Sequence, residues 1–224
     1  MIPIFDLDDT LYPESSYVES GFHAVARWGE NQFGWPHRDS VDRLTRLLWK
    51  YGRGRVFDLW LEGHGVRPTR RLVSTAVHAY RHHDPEIVLP TAHQKLLKRL
   101  RAKGPVYLVT DGHKVVQSKK VEALGIKALF SGIYITHRYG LLAAKPSARC
   151  FELIKQRENA SWQDIVYVGD NPAKDFVTLN KLGSLTVRVL TGRHATDRAR
   201  DGFDGARHIK SLAELESTLF EYFR

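Results

Sequence analysis

Three four-residue runs, Ile2-Pro3-Ile4-Phe5, Val106-Tyr107-Leu108-Val109 and Ile165-Val166-Tyr167-Val168, carry no charge at any position, and each gives way within two residues to an aspartate or threonine. A strand that faced water on one side would alternate. A strand apolar on both sides must be covered on both faces, which helices packed above and below a parallel sheet provide. Helical patterns separate the runs, so the chain reads as an α/β protein built on a doubly wound parallel sheet. Ligands bind such sheets outside the carboxyl ends of the strands, where the polar clusters of this sequence fall.

Between the first run and Pro90 the pattern is different. From Tyr12 to Glu86 apolar residues recur at three- and four-residue steps, as in Val18, Phe22, Val25, Ala26 and Leu72, Val73, Ala76, Val77, Tyr80, with breaks at Gly34-Trp35-Pro36, Gly52-Arg53-Gly54 and Gly63-His64-Gly65. This predicts about four helices and no strand, with Pro68 in a first helical turn. The expected organisation is an α/β core from residues 1–11 and 87–224 with a helical domain, 12–86, inserted between its first two strands. Further along, Thr91 to Gln94 and Ser211 to Glu214 have capping-box spacing before helices, Ile133-Tyr134-Ile135-Thr136 is a strand, Lys145-Pro146 opens a helix, and Leu185 to Leu190 forms another strand.

The first run ends in Asp6-Leu7-Asp8-Asp9-Thr10. Side chains at i and i+2 of an extended segment share a side, so Asp6 and Asp8 can face one crevice. Two carboxylates that close need a cation between them or a shared proton. At about 4 Å two unit charges repel by roughly 4 kcal/mol at an effective dielectric of 20. Asp9 reads as a turn residue.

With 224 residues, 42% of them hydrophobic and 26% charged, the chain has material for a proper core. Its single cysteine, Cys150, excludes an intramolecular disulfide and a thiolate-rich zinc site, and fits a reducing, cytoplasmic compartment. Neither a leader pattern nor an apolar run of membrane-spanning length is visible. The formal charge of +9 attracts anions, and the basic residues lie on helical stretches without zinc-finger spacing or aromatic interleaving. Nucleic acid, acidic membrane surfaces and small phosphorylated metabolites are the anions such a charge could attract, the spacing of the basic residues disfavours nucleic acid, and a monomer or homodimer is expected.

Taken in order, Asp6-Leu7-Asp8-Asp9-Thr10, Thr110 after an apolar run, Lys145, and Gly169-Asp170-Asn171-Pro172-Ala173-Lys174-Asp175 resemble the four motifs of the haloacid dehalogenase superfamily. The resemblance implies a Rossmann-like core, with the inserted helices as a cap, and phosphatase chemistry assisted by Mg²⁺. It makes Asp6 the nucleophile, Asp8 the general acid and base, Thr110 a hydroxyl donor to phosphate and Lys145 a fixed cation. Asp111 and Gly112 would offer backbone N–H groups. Asp6, Asp170, Asp175 and the main-chain carbonyl of Asp8 would form the metal shell. An acidic second position favours phosphoryl transfer over carbon–halogen cleavage, because a departing halide needs no proton. The same residues would serve a phosphomutase, and the positive charge keeps open a nucleic-acid-binding protein on the same scaffold. Tyr12, Ser16 and Tyr17 are expected to line the substrate entrance, with Arg53 and Arg55 as weaker candidates for an anionic substrate group. Small nucleotides or sugar phosphates are the substrate classes implied. Pro3 lacks a ladder donor, so an irregular first strand is expected.

Overall fold

In a computed structural model, which describes residues 1–223, the three apolar runs become the central strands of one sheet. Its strands are β1 (Ile2–Phe5), β2 (Tyr107–Thr110), β3 (Gly132–Ile135), β4 (Ile165–Gly169), β5 (Leu185–Val189) and β6 (Arg207–Ile209), in the order β3-β2-β1-β4-β5-β6. Every pairing is parallel. The strand order turns around β1: the chain moves outward to β2 and β3, then returns to place β4 on the other side. That reversal is the switch point at which doubly wound sheets open a crevice. The short strand β6 was not foreseen. Two of its three residues are exposed, so it lacks the apolar signature of the interior strands.

Pro3 does not disturb β1. The Asp6 N–H donates to the Val168 carbonyl at 2.8 Å, so by alternation Ile4 also faces β4, whereas Pro3 and Phe5 face β2. Pairing with β2 begins only at Ile4 opposite Tyr107. The missing donor therefore falls where β2 has not yet started.

The chain divides into two compact units, Met1–Glu14 together with the chain from Val88 onward, and Ser15–Ile87. The second is helical: α1 (Glu14–Phe33), α2 (His37–Tyr51), α3 (Val56–Glu62) and α4 (Arg70–His82). Its core gathers Phe22, Val25, Leu44, Val56, Trp60, Leu61 and Ala76. Trp60 sits at the centre, with the rings of Trp28 and Trp35 at 5.9 and 4.9 Å. Thr69 caps α4 by accepting from the Leu72 N–H at 3.3 Å, so Pro68 precedes the helix instead of opening it.

In the sheet unit the helices are α5 (Thr91–Lys103), α6 (Lys114–Ala123), α7 (Arg149–Arg157), α8 (Val177–Leu182) and α9 (Leu215–Tyr222). One face of the sheet buries Ile4, Tyr107, Val109, Ile165 and Tyr167 against Phe151, Ile154, Phe176 and Leu179. Each such apolar side chain contributes about 1.5–3 kcal/mol on burial. Neither expected capping box forms. Pro90 occupies the N-cap of α5, which leaves Thr91 inside the helix, and the Ser211 side chain caps nothing. The box that does form pairs Ser161 with Asp164, just before β4. The turn after Lys145 delays α7 to Arg149, four residues beyond the lysine.

Candidate active site

Because β1 and β4 are neighbours in register, Phe5 opposite Val168, the residues that follow them emerge side by side. Asp6 and Asp170 come from these two strand ends, and Asp175 from the turn that leads into α8. One oxygen from each of the three lies within 4.8 Å of the others. Gly169 makes this possible: a Cβ there would stand 2.6 Å from Asp175 Oδ2, so any larger residue would displace that carboxylate. The Asn171 N–H fixes the same oxygen at 2.9 Å.

Lys145 reaches into the cluster, its Nζ 3.0 Å from Asp6 Oδ1 and 2.8 Å from Asp175 Oδ1, and donates to the Tyr167 hydroxyl oxygen at 2.8 Å. Burial works against its charge, but Asp175 and Asp6 outweigh burial and hold the ammonium well above its ordinary value. One cation against three carboxylates leaves the cluster under-neutralised. Burial, then Asp6 and Asp175, push Asp170 up to about 9; burial, with Asp175 and Asp8, outweighs Lys145 and Lys174 and pushes Asp6 up to about 6. Among the described residues no hydrogen bond or ion pair reaches the Asp170 carboxylate. A buried carboxylate with no protein donor, beside two others, is chemically incomplete. Three hard oxygen donors converging on one point can hold a divalent cation such as Mg²⁺, whose charge would favour the ionised carboxylates and oppose both shifts.

Asp8 is occupied differently. Its Oδ1 accepts from the Tyr12 hydroxyl at 2.6 Å and from Lys120 Nζ at 2.7 Å, and its Oδ2 from Gln117 Nε2 at 2.9 Å. Burial acts to raise Asp8, but Lys120 and these hydrogen bonds hold it below the usual carboxylate value. Gln117 also donates to Thr110 Oγ1 at 2.6 Å, which ties the end of β2 to the end of β1. Asp9 is in the left-handed region, φ 52°, and accepts from the Glu14 N–H at 2.9 Å.

Asp111 enters with its side chain. Its carboxylate accepts from Thr136 Oγ1 at 2.8 Å, the Lys145 N–H at 3.0 Å and Lys174 Nζ at 2.9 Å, so it fastens the segment after β3 and the turn after β4 to the end of β2. Gly112 follows at φ 138°, on the side of Gln117. Tyr12, expected at an entrance, is instead 2% exposed, with its hydroxyl on Asp8. Ser16 and Tyr17 belong to the helical unit, where Tyr17 is buried edge-on against Tyr80, 5.6 Å between rings. In the same unit Arg55 lies 3.5 Å from Glu62 in an exposed ion pair.

Sequence reading overlooked Tyr167, Gln117, Lys120 and Lys174. Tyr167 was hidden because a tyrosine in an apolar strand reads as core. Gln117 and Lys120 did leave a signal: at i and i+3 they put polar side chains on the buried face of α6, beside Val121.

A doubly wound parallel sheet with a carboxylate cluster at its switch point and a lysine among the acids places the chain among α/β proteins with a charged site outside the strand ends. A family profile of haloacid dehalogenase-like hydrolases matches residues 4–183, and the chain belongs to that family. Among curated relatives, the glyceraldehyde 3-phosphate phosphatase of Methanocaldococcus jannaschii is 29% identical over 217 residues, covering 95% of this chain and 93% of its own. The protein of the same name from Methanopyrus kandleri is 32% identical over 217 residues, covering 90% and 88%. Among solved structures, a 2-haloacid dehalogenase from Pseudomonas syringae pv. Tomato superposes with a TM-score of 0.67 at 20% identity, over 99% of this chain and 98% of that one. That likeness concerns the fold, which hosts more than one chemistry.

Proposed function

We propose that this chain is a Mg²⁺-dependent phosphatase of small sugar phosphates, of triose size, acting through an aspartyl-phosphate on Asp6. The observation that carries this reading is the buried cluster of Asp6, Asp170 and Asp175 around Lys145. The substrate class is supported by two relatives named glyceraldehyde 3-phosphate phosphatase, which align over nearly all of this chain. The reading places the reaction in the cytoplasm, and the helical unit acts as a cap that governs access.

A carboxylate attacking a phosphate ester faces like charge, and the site lowers that cost with fixed positive charge. Asp6, Asp170 and Asp175 would hold Mg²⁺, which would supply Lewis-acid charge neutralisation to the substrate phosphate. Lys145, already beside Asp6, adds a second positive charge. Thr110 accepts from Gln117, which leaves its hydroxyl hydrogen to donate to a non-bridging phosphate oxygen. An Asp6 oxygen forms a bond to phosphorus as the ester P–O bond breaks. The electron pair of that bond goes to the leaving oxygen, which takes a proton from Asp8. The incoming phosphate, a like charge, raises the affinity of Asp8 for that proton. In the second half Asp8, again ionised, takes a proton from water. The water oxygen bonds to phosphorus, the Asp6–phosphorus bond breaks with its pair returning to the carboxylate, and inorganic phosphate departs.

Turnover should be measured on a panel of sugar phosphates and nucleotides with Mg²⁺ and with a chelator, beside Asp6→Asn. Mg²⁺-dependent release of phosphate, fastest among triose phosphates, is expected, with the variant inert and hydroxylamine trapping a hydroxamate at Asp6. Full activity of Asp6→Asn, or of chelated protein, would overturn the mechanism; a nucleotide preference would overturn the substrate class.

A further inference from the structure

Three donors from two segments close on the Asp8 carboxylate, and none of them belongs to the residues assigned to phosphate or metal. Lys120 Nζ lies 2.7 Å from Asp8 Oδ1 and 3.9 Å from Glu14 Oε1, with its side chain 3% exposed. Gln117, one helical turn before it on α6, gives one amide hydrogen to Asp8 Oδ2 and the other to Thr110 Oγ1. Its orientation is dictated by charge: the opposite amide rotamer would aim a carbonyl oxygen at a carboxylate. Tyr12 completes the set from the loop that carries Asp8. A long buried lysine is costly unless paired, and here the carboxylate of Asp8 is a partner at 2.7 Å. A carboxylate bound only by its own loop would sample several rotamers, and Lys120 and Gln117, anchored on a packed helix, remove that freedom.

We infer that Gln117 and Lys120 of α6, with Tyr12, are positioning residues that hold the Asp8 carboxylate in the orientation needed to exchange a proton with the leaving oxygen and with water. This rests on the reading of Asp8 as general acid given above. Positioning matters most where proton transfer matters most. An alkyl phosphate must expel a strongly basic oxygen and needs the proton; p-nitrophenyl phosphate expels a weakly basic phenolate and hardly does. Loss of the clamp therefore separates the two esters in kcat/KM, which ends at departure of the leaving oxygen and leaves out the water step they share, whereas general damage to the fold or to metal binding lowers both together.

The experiment compares kcat/KM for glycerol 3-phosphate and p-nitrophenyl phosphate in the wild type, Asp8→Asn, Lys120→Met and Tyr12→Phe; Gln117 is left intact because it also orients Thr110. Tyr12→Phe deletes one oxygen from a packed ring and keeps the test open if the buried lysine variant does not fold. For Asp8→Asn, kcat/KM on the alkyl ester is expected to fall by about 10²–10⁴. The clamp variants are expected to share its selectivity at smaller size, with kcat/KM down about tenfold or more on the alkyl ester and about threefold or less on the aryl ester. Should Asp8→Asn discriminate between the esters while the folded clamp variants lower both equally, the clamp is only structural and the inference fails. Should Asp8→Asn itself show no discrimination, the general-acid reading fails and takes the clamp with it.

Discussion

At the scale of single residues, the site depends on how one ammonium is held. Lys145 has three oxygen neighbours, two carboxylates and the phenol of Tyr167. The carboxylates are also drawn toward the position a cation would take. The phenol is a neutral anchor, fixed by Phe151 at 5.0 Å edge-on and Phe176 at 6.4 Å between ring centroids. A hydrogen bond to a charged group is worth about 1.5–3 kcal/mol, and here it is buried. Tyr167→Phe keeps the ring packing and removes only that anchor. We expect kcat to fall about tenfold as the lysine loses its fixed position, and stability to fall by about 1.5–3 kcal/mol, the worth of the buried bond removed. If steady-state kinetics returned wild-type kcat from a protein of wild-type melting temperature, the carboxylates alone would suffice to place the lysine. The sequence could reveal Lys145 through its neighbours in the motif but not Tyr167, because the hydroxyl at the end of a buried ring only gains a role once α7 and β4 are packed together.

Among the elements, glycines on α1 show how packing overrules intrinsic preference. Gly29 is a poor helix former, and replacing it with alanine in an open helix would gain about 1 kcal/mol. In this helix the added Cβ would lie 2.6 Å from Trp60 Cη2, on a ring that is fully buried and already in contact with Trp28 and Trp35. Overpacking of that kind costs about 1–3 kcal/mol, so the clash exceeds the gain. Gly29→Ala is expected to destabilise the helical unit and shift tryptophan fluorescence on urea unfolding to lower midpoints; a raised midpoint would mean that the indole moves aside freely. The elements themselves were readable where one physical cue dominated. Continuous apolar runs gave β1, β2 and β4, and the 3.6-residue repeat gave the four helices α1–α4. Local cues without support from packing did poorly: Thr91-to-Gln94 has the spacing of a capping box, but Pro90 already sets the N-cap dihedral and pulls Thr91 into the helix. The carboxylate positions were legible because they follow strand ends in sequence. The clamp on Asp8 was not, since it joins residues about a hundred positions apart through the pairing of β1 with β2.

For the molecule as a whole, the metal-free protein should carry an electrostatic signature that Mg²⁺ erases. Asp170 has a folded value near 9 against 3.8 for the free side chain, because burial and its two acidic neighbours disfavour its charge. Between those values the folded state keeps a proton that the unfolded state has released. Stability changes with pH as the unfolded state's bound protons minus those of the native state, and here that difference is negative. The Asp170 contribution to metal-free stability is therefore full at acidic pH and is lost as pH rises toward 9. A bound divalent cation demands the ionised form, so its binding expels the proton and strengthens with pH across the same interval. At about a hundredfold excess over Kd, Mg²⁺ stabilises by about 2.7 kcal/mol, or roughly 5–10 °C in Tm for a protein of this size. Thermal melts with Mg²⁺ and with a chelator, from about pH 6 to pH 9, should show the metal-induced gain widening with pH. Calorimetry in buffers of different ionisation enthalpy should register proton release on binding. Asp170→Asn, which cannot hold the proton, should lose both effects; a Tm gain independent of pH in the wild type would show that the three carboxylates share no such proton.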